Sequence, residues 1–308
     1  MRRVVAVVGP TGVGKSTLAE QLARKYGGDI VSADSMQVYR GMDIGTAKTP
    51  LADRAVPYHC IDLVSPGEPY SAARFQTDAR EAIEAIAARS RLPVLVGGTG
   101  LYVRAALDDL RFPAGEAVSP LRIQLEREAE LLGAQALYER LQERDPESAA
   151  LIHPNNVRRT IRALEMAEEG TSYARQASGF ADRRSLYDTT MIGLTMRRDV
   201  LYQRIDARVD AMMASGLLDE VRRLLASGFR DALTAAAAIG YKELVPVLEE
   251  DADPDQAVVA IKQASRRYAK RQLSWFNADP RIEWIDVTDL SPHEVGLQAS
   301  LLVESGRS

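Results

Sequence analysis

A single cysteine, Cys60, is all the thiol chemistry in this 308-residue chain. That excludes an internal disulfide and a Cys-rich zinc site, and it fits a reducing compartment in which thiols stay free. Cys60 itself reads as a small apolar filler. Lysine is also scarce, 6 residues against 33 arginines, so a lysine at a special position stands out. No apolar run approaches the roughly 18 residues of a membrane-spanning helix. The opening stretch Met1-Arg2-Arg3-Val4-Val5-Ala6-Val7-Val8 only faintly mimics a signal peptide, because its apolar part stops at Gly9-Pro10. A cytoplasmic, monomeric protein without a membrane partner is expected. Positive charge is not in excess either: 39 basic and 43 acidic residues leave a net charge of −4. This excludes a generally basic surface but not local basic patches.

What is present reads as an α/β fold. Residues 4–8, 29–33 and 93–96 are short β-branched runs, the pattern of strands buried on both faces of a parallel sheet. Helices are predicted between them over Thr17 to Tyr26 and Ser71 to Arg89, and another from near Leu101. Phe112-Pro113-Ala114-Gly115 reads as a boundary, and residues 114–187 then carry helical signals only. The strand pattern returns at Met191 to Met196. An all-helical domain, 114–187, is therefore expected as an insertion into a core made of 1–113 and 188–308. Long helices should follow, including one or two over Asp253 to Phe276, with alternation at Ile282, Trp284, Ile285 and Val287 pointing to a last strand.

The sharpest local motif is Gly9-Pro10-Thr11-Gly12-Val13-Gly14-Lys15-Ser16, a P-loop between a strand and a helix. Its glycines let several N–H groups converge on one anion, and the helix N-terminus adds a favourable dipole. Lys15 supplies a point charge, and the Ser16 hydroxyl is placed to ligate Mg2+. The motif does not distinguish ATP, GTP or another diphosphate. An NTPase should also show an apolar strand ending in Asp. The candidate strand, Pro93-Val94-Leu95-Val96, ends in Gly97-Gly98-Thr99 instead. That absence weakens ATPase and GTPase readings and leaves small-molecule kinases and other diphosphate chemistries open.

Ligands of doubly wound sheets bind beyond the carboxyl ends of the strands. Asp34 lies at such an end, either a general base or a turn residue. Thr99 lies at another, either a substrate contact or a helix cap, with flanking glycines that permit close approach of a ligand. Arg204 and Arg208 share a helix face and suit a polyanionic leaving group, although Asp206 and Asp210 beside them fit a salt-bridged surface equally well. Arg158, Arg159 and Arg162 share a helix of the insert. Lys262, Arg266, Arg267, Lys270 and Arg271 form a stripe followed by Trp275-Phe276. Arginine and lysine on helix faces are common phosphate contacts. By segment the charge is +2 over 1–113, −2 over 114–187 and −4 over 188–308, so the average conceals these local clusters. His59 and His153 lack His or Cys partners and read as structural.

The run Asp34-Ser35-Met36-Gln37-Val38-Tyr39-Arg40-Gly41-Met42-Asp43-Ile44-Gly45-Thr46-Ala47-Lys48 after a P-loop resembles the bacterial tRNA dimethylallyltransferase family, also called delta-2-isopentenylpyrophosphate transferases. So do Gly97 to Tyr102, Ile152 to Asn156 with Arg158 to Glu165, Ile239 to Lys242, and Tyr268 to Gln272. The resemblance implies a P-loop kinase-like core with a helical insert that grips the tRNA anticodon stem-loop. It implies transfer of a dimethylallyl group from its diphosphate to N6 of the adenosine 3′ of the anticodon, with Mg2+. Asp34, Thr99, Lys15 and Arg208 would then be catalytic. The P-loop and Arg204 would hold diphosphate. Asp34, Ser35, Met36, Gln37, Thr99, Arg122, Arg158, Arg159, Thr160, Ile161, Arg162, Lys242, Arg266, Lys270 and Arg271 would meet tRNA. The run Ala235 to Ala238 departs from the family's polar residue before Ile239, which puts in doubt a side-chain contact from Ala237. A prenyltransferase acting on free adenine nucleotides and a P-loop metabolite kinase remain the alternatives.

Overall fold

A computed structural model describes residues 1–112, 119–232 and 234–306. In chain order the elements are β1 (Arg3–Val8), α1 (Lys15–Tyr26), β2 (Gly28–Ser32), β3 (Tyr58–His59), α2 (Ala72–Ala88), β4 (Leu92–Gly97) and α3 (Gly100–Leu107). Then come α4 (Pro120–Leu132), α5 (Ala134–Arg144), α6 (Pro146–Ala150), α7 (Val157–Glu168) and α8 (Tyr173–Ala181). They are followed by β5 (Asp188–Thr195), α9 (Arg198–Ala214), α10 (Leu217–Leu225), α11 (Val245–Glu249), α12 (Pro254–Asn277), β6 (Ile282–Asp286) and α13 (Pro292–Ser305).

The six strands form one parallel sheet in the order β3-β2-β4-β1-β5-β6. This bears out the α/β reading. Val4, Val5, Ala6, Val7 and Val8 of β1 have no exposed surface, because helices cover both faces of the sheet, and this is why the run is apolar without alternation. Val5, Val7, Leu18, Leu22, Val96, Ile192 and Leu194 share the core that fixes α1 against β1, β4 and β5. Register is closed by pairs such as Val7 with Val96 and Val7 with Ile192.

Because every strand runs the same way, the loops after β1, β2 and β4 open at one edge of the sheet. The ladder continues past the strand ends: Ala33 N–H donates to Val96 O at 2.7 Å and Thr99 N–H to Ala33 O at 3.3 Å. These bonds draw the segments carrying Asp34 and Thr99 together beside the P-loop.

The chain divides into two compact units, Met1–Leu107 with Ser185–Ser308, and Asp108–Arg184. The boundary expected at Phe112-Pro113-Ala114-Gly115 falls largely on residues outside those described. The second unit has its own core, with Leu125, Leu137, Leu141, Ile152, Ile161 and Leu164 packed together. Among the described residues no helix is long and apolar enough to cross a membrane. Sequence periodicity missed α8 and the C-terminal α13. The latter is opened by a reciprocal cap between Ser291 and Glu294.

Candidate active site

At the phosphate end, Gly9, Gly12 and Gly14 all adopt positive φ, which only glycine holds without strain. A Cβ at Gly9 would also collide with the Leu194 carbonyl of β5. The loop therefore lies close against the sheet at Gly9. Gly14 caps α1 with no side-chain hydrogen bond, and no acid stands in the first turn. The free amides and the helix dipole are left to an anion. Lys15 Nζ rests on Pro10 O at 2.7 Å. Burial, then the nearby Arg208 cation, lower its pKa to about 7, although Asp34 opposes the shift. A lysine held this way is short of negative charge.

The two remaining loops meet through Asp34, Thr99 and helix α12. Asp34 Oδ1 accepts from Met36 N–H at 2.9 Å, which orients the carboxylate. The Thr99 hydroxyl accepts from Ser35 N–H at 3.2 Å and donates to Ser35 Oγ at 3.3 Å. The hydroxyl thus clamps the segment that presents Asp34, while the Thr99 carbonyl accepts the first bond of α3 from Val103 N–H at 3.0 Å. Tyr268, from α12, stands beside this pair, and its phenol is pushed up to about 12, chiefly by burial and then by the Asp34 charge, so it stays neutral.

Gln272, one turn further on, is 5 % exposed and bridges two loops. Its Oε1 accepts from Thr11 N–H and its Nε2 donates to Gly98 O, both at 2.9 Å. Neither Tyr268 nor Gln272 was singled out from sequence as a site residue. Their signal was present only as the last block of the family resemblance.

These groups line a cavity of about 370 Å³. Asp34, Arg208 and Tyr268 face it, together with apolar Ile205, Val209, Met212, Ile239 and Ile261. A smaller polar recess opens from it past Asp34 and Arg208 to Lys15, Ser16 and Gln37. Arg208 borders both, and burial lowers its pKa while Asp34 opposes that shift.

The wall opposite Asp34 is held by Glu220 of α10, 2 % exposed. Its carboxylate accepts from Asp43, Ile44 and Gly45 N–H at 2.8–3.1 Å and from Tyr241 Oη–H at 2.6 Å. Four donors converge on this one buried side chain. Gly45 must be glycine, since a Cβ there would enter the Tyr241 ring. The arrangement is a polar recess at the P-loop joined to a chamber of mixed lining, in which Ile205, Val209, Met212, Ile239 and Ile261 supply apolar surface, with one carboxylate and one guanidinium at the junction.

The profile of the IPP transferase family matches residues 37–279, and an isopentenyl transferase profile matches residues 2–54. A tRNA dimethylallyltransferase from Geobacillus thermodenitrificans is 51 % identical over 289 residues, 93 % of this chain and 91 % of the relative. The chain belongs to the IPP transferase family. Another tRNA dimethylallyltransferase, from Geobacillus kaustophilus, is 47 % identical with the same coverage. Among solved structures, a tRNA isopentenylpyrophosphate transferase from Bacillus halodurans superposes with a TM-score of 0.73 at 43 % identity. It covers 99 % of this chain and 98 % of its own. A eukaryotic dimethylallyltransferase crystallised acting on tRNA gives a TM-score of 0.82 at 31 % identity, covering 99 % of this chain and 79 % of its own. The resemblance carried by the block from Asp34 to Lys48 is borne out.

Within this IPP transferase the expected site residues differ in how far each is exposed and how each is paired. Arg204 is exposed on α9 and lines none of the cavities that Arg208 borders. One helical turn was enough to carry it past the rim. Asp206 and Asp210 are not partners for these arginines; they pair with Arg266 at 3.1 Å and Lys262 at 2.6 Å across from α12. Arg266 is thereby engaged within the fold, while Arg267, Lys270 and Arg271 stay exposed.

In the second unit, Thr160 has no exposed surface and Ile161 has 3 %. They occupy the inward side of α7, and the Thr160 hydroxyl donates to Asn156 O. Arg122 is held in a two-pronged ion pair with Glu165 at 2.6 and 3.1 Å, and Arg162 approaches the same carboxylate at 3.5 Å. Arg158 and Arg159 remain exposed.

The glycines near Thr99 serve the protein rather than a ligand. A Cβ on Gly98 would strike Gln272, and one on Gly100 would strike Trp275. His59 lies 3.3 Å from buried Asp29, and His153 Nδ1 accepts from Asn155 N–H, both structural roles. Burial pushes the Cys60 thiol up to about 12, which leaves it inert.

Proposed function

We propose that the protein transfers a dimethylallyl group from dimethylallyl diphosphate to N6 of the adenosine 3′ of the anticodon in tRNA, releasing diphosphate. The observation that carries this reading is the joining of an uncapped P-loop helix end, through Asp34 and Arg208, to a chamber that offers apolar surface from Ile205, Val209, Met212, Ile239 and Ile261. A kinase would need no such apolar surface behind its phosphate site. A phosphoryl-transfer enzyme would also be expected to carry an acid where β4 ends in glycine.

The diphosphate would lie on the P-loop amides with Lys15 and Arg208, and the prenyl tail would extend into the chamber. As the allylic C1–O bond breaks, negative charge gathers on the leaving oxygen, where Lys15, Arg208 and the α1 dipole already point. The new bond joins C1 to adenine N6, whose lone pair is delocalised into the ring. The proton lost from N6 passes to Asp34, held ready by Met36 N–H. The adenosine must leave the loop stack to reach this point.

Among the described residues no three His, Cys, Asp or Glu side chains gather as a metal cage. The oxygen donors at the recess fit Mg2+ nonetheless, since that ion takes few protein ligands and fills its shell with phosphate oxygens and water. Ser16 would hold it, and it would supply charge compensation for the diphosphate.

Incubation with dimethylallyl diphosphate and tRNA, then AMP and ATP in parallel, followed by nucleoside mass analysis, tests the reading. Modified tRNA with unmodified nucleotides is expected. The reverse pattern, or phosphorylated product from ATP, would overturn it.

Two further outcomes are expected. Diphosphate binding should draw a proton onto Lys15, because the anion raises a pKa that the empty site holds near 7. Affinity for inorganic diphosphate should then fall as pH rises from about 7 to about 8. Titration calorimetry in buffers of different ionisation enthalpy reads this uptake directly, and Lys15→Met should abolish it. Replacing both Arg158 and Arg159 with alanine should weaken tRNA binding and lower the slope of log affinity against log salt by about one for each arginine. An unchanged slope would remove the helical unit's arginines from the interface.

A further inference from the structure

Trp275 is 46 % exposed, unusual for a residue that cores normally claim. It stands on the outer face of α12 with Arg267, Lys270, Arg271 and Ser274, and together they border a shallow depression. These positions recur at helical spacing, so the face is continuous. The indole is not loose. Its edge lies against Gly100 at the start of α3, close enough that any Cβ there would collide with it. The ring is therefore braced from behind by backbone and open in front.

Arg267 and Arg271 line both this depression and the chamber that holds Asp34. A strand with one base in the chamber would thus carry its neighbour over the indole. An aromatic plane rimmed by cations is the arrangement that receives unstacked nucleotides: the ring stacks on any base, and the cations track the phosphates. A protein partner would instead want a broad apolar patch, whereas here the one large apolar group sits among three cations.

We propose that Trp275 is the stacking platform for the nucleotide next to the target adenosine, with Lys270 on the adjoining phosphate. The inference rests on the tRNA reading above. It predicts that Trp275→Ala weakens binding of an anticodon stem-loop RNA by about five- to a hundredfold at fixed salt. The slope of log affinity against log salt should stay unchanged, because stacking neutralises no phosphate. Lys270→Ala should do the opposite, lowering that slope by about one.

Trp275→Phe keeps an aromatic plane and should recover most of the affinity, which separates stacking from a folding defect. Indole fluorescence should be quenched on RNA binding in the unaltered protein, and Trp275→Phe should remove that quenching. Wild-type affinity in Trp275→Ala, or a loss accompanied by a reduced salt slope, would overturn the proposal while the tRNA reading stands. An unaltered protein that neither binds nor prenylates tRNA would overturn both.

Discussion

Replacing Asp34 with alanine should slow prenyl transfer by about 10²- to 10⁴-fold and leave tRNA affinity near that of the unaltered protein. Asp34 lies where the polar recess meets the larger chamber. Its carboxylate is aimed by Met36 N–H at 2.9 Å, and its segment is fixed through Ser35 to Thr99. A base so held pays no reorganisation when the N6 proton becomes acidic. Asp34→Asn makes the sharper test. The amide oxygen can still accept from Met36, so the loop keeps its shape, yet the group can no longer take a proton. Both variants should fail alike in single-turnover assays at saturating substrates. Near-normal turnover in Asp34→Asn would show that geometry matters there and that the proton goes elsewhere.

Arg208→Ala should lower the transfer rate by about 10²- to 10³-fold, the scale for removing one preorganised charge from a developing oxyanion. It should also have a second signature. Arg208 is one of the two influences that hold the Lys15 pKa down. Its loss lets Lys15 stay protonated to higher pH in the empty site. The fall in diphosphate affinity with rising pH should therefore begin above pH 7, and proton uptake on binding at pH 7 should shrink. Arg204→Ala, one turn away and outside the cavities, should show neither effect. Steady-state rates and calorimetry on the two variants separate a site-specific charge from a general change in surface potential. Equal losses in both variants would deny Arg208 its special place.

Much of this site was legible because its elements are local. The P-loop is contiguous, and β1, β2 and β4 announce themselves as uninterrupted apolar runs because both their faces are covered. Asp34 and Thr99 could be placed at one edge because parallel strands share a direction. The family block from Asp34 to Lys48 named the chemistry. The helical signals over 114–187 are matched by α4, α5 and α7. They did not separate Thr160 and Ile161 from their arginine neighbours, although a helix turns residues three and four apart, here Thr160, Ile161, Ala163 and Leu164, to one buried face.

The sequence by itself determined the class of this protein: an α/β chain of parallel strands interrupted by a helical stretch, and a family whose motifs stand in order. The tertiary structure decided which charges remain available. Lys262 and Arg266 met acids from α9, and Arg122 met Glu165, whereas Arg208 came to rest beside Asp34 and Lys15. It also brought Tyr268 and Gln272 against loops that precede them by well over a hundred residues, and it set Glu220 beneath four donors. The physical reason is one of range. Strand and helix patterns arise from neighbours in sequence, but the state of a charge depends on whatever packing brings within a few ångströms, and no local pattern records that.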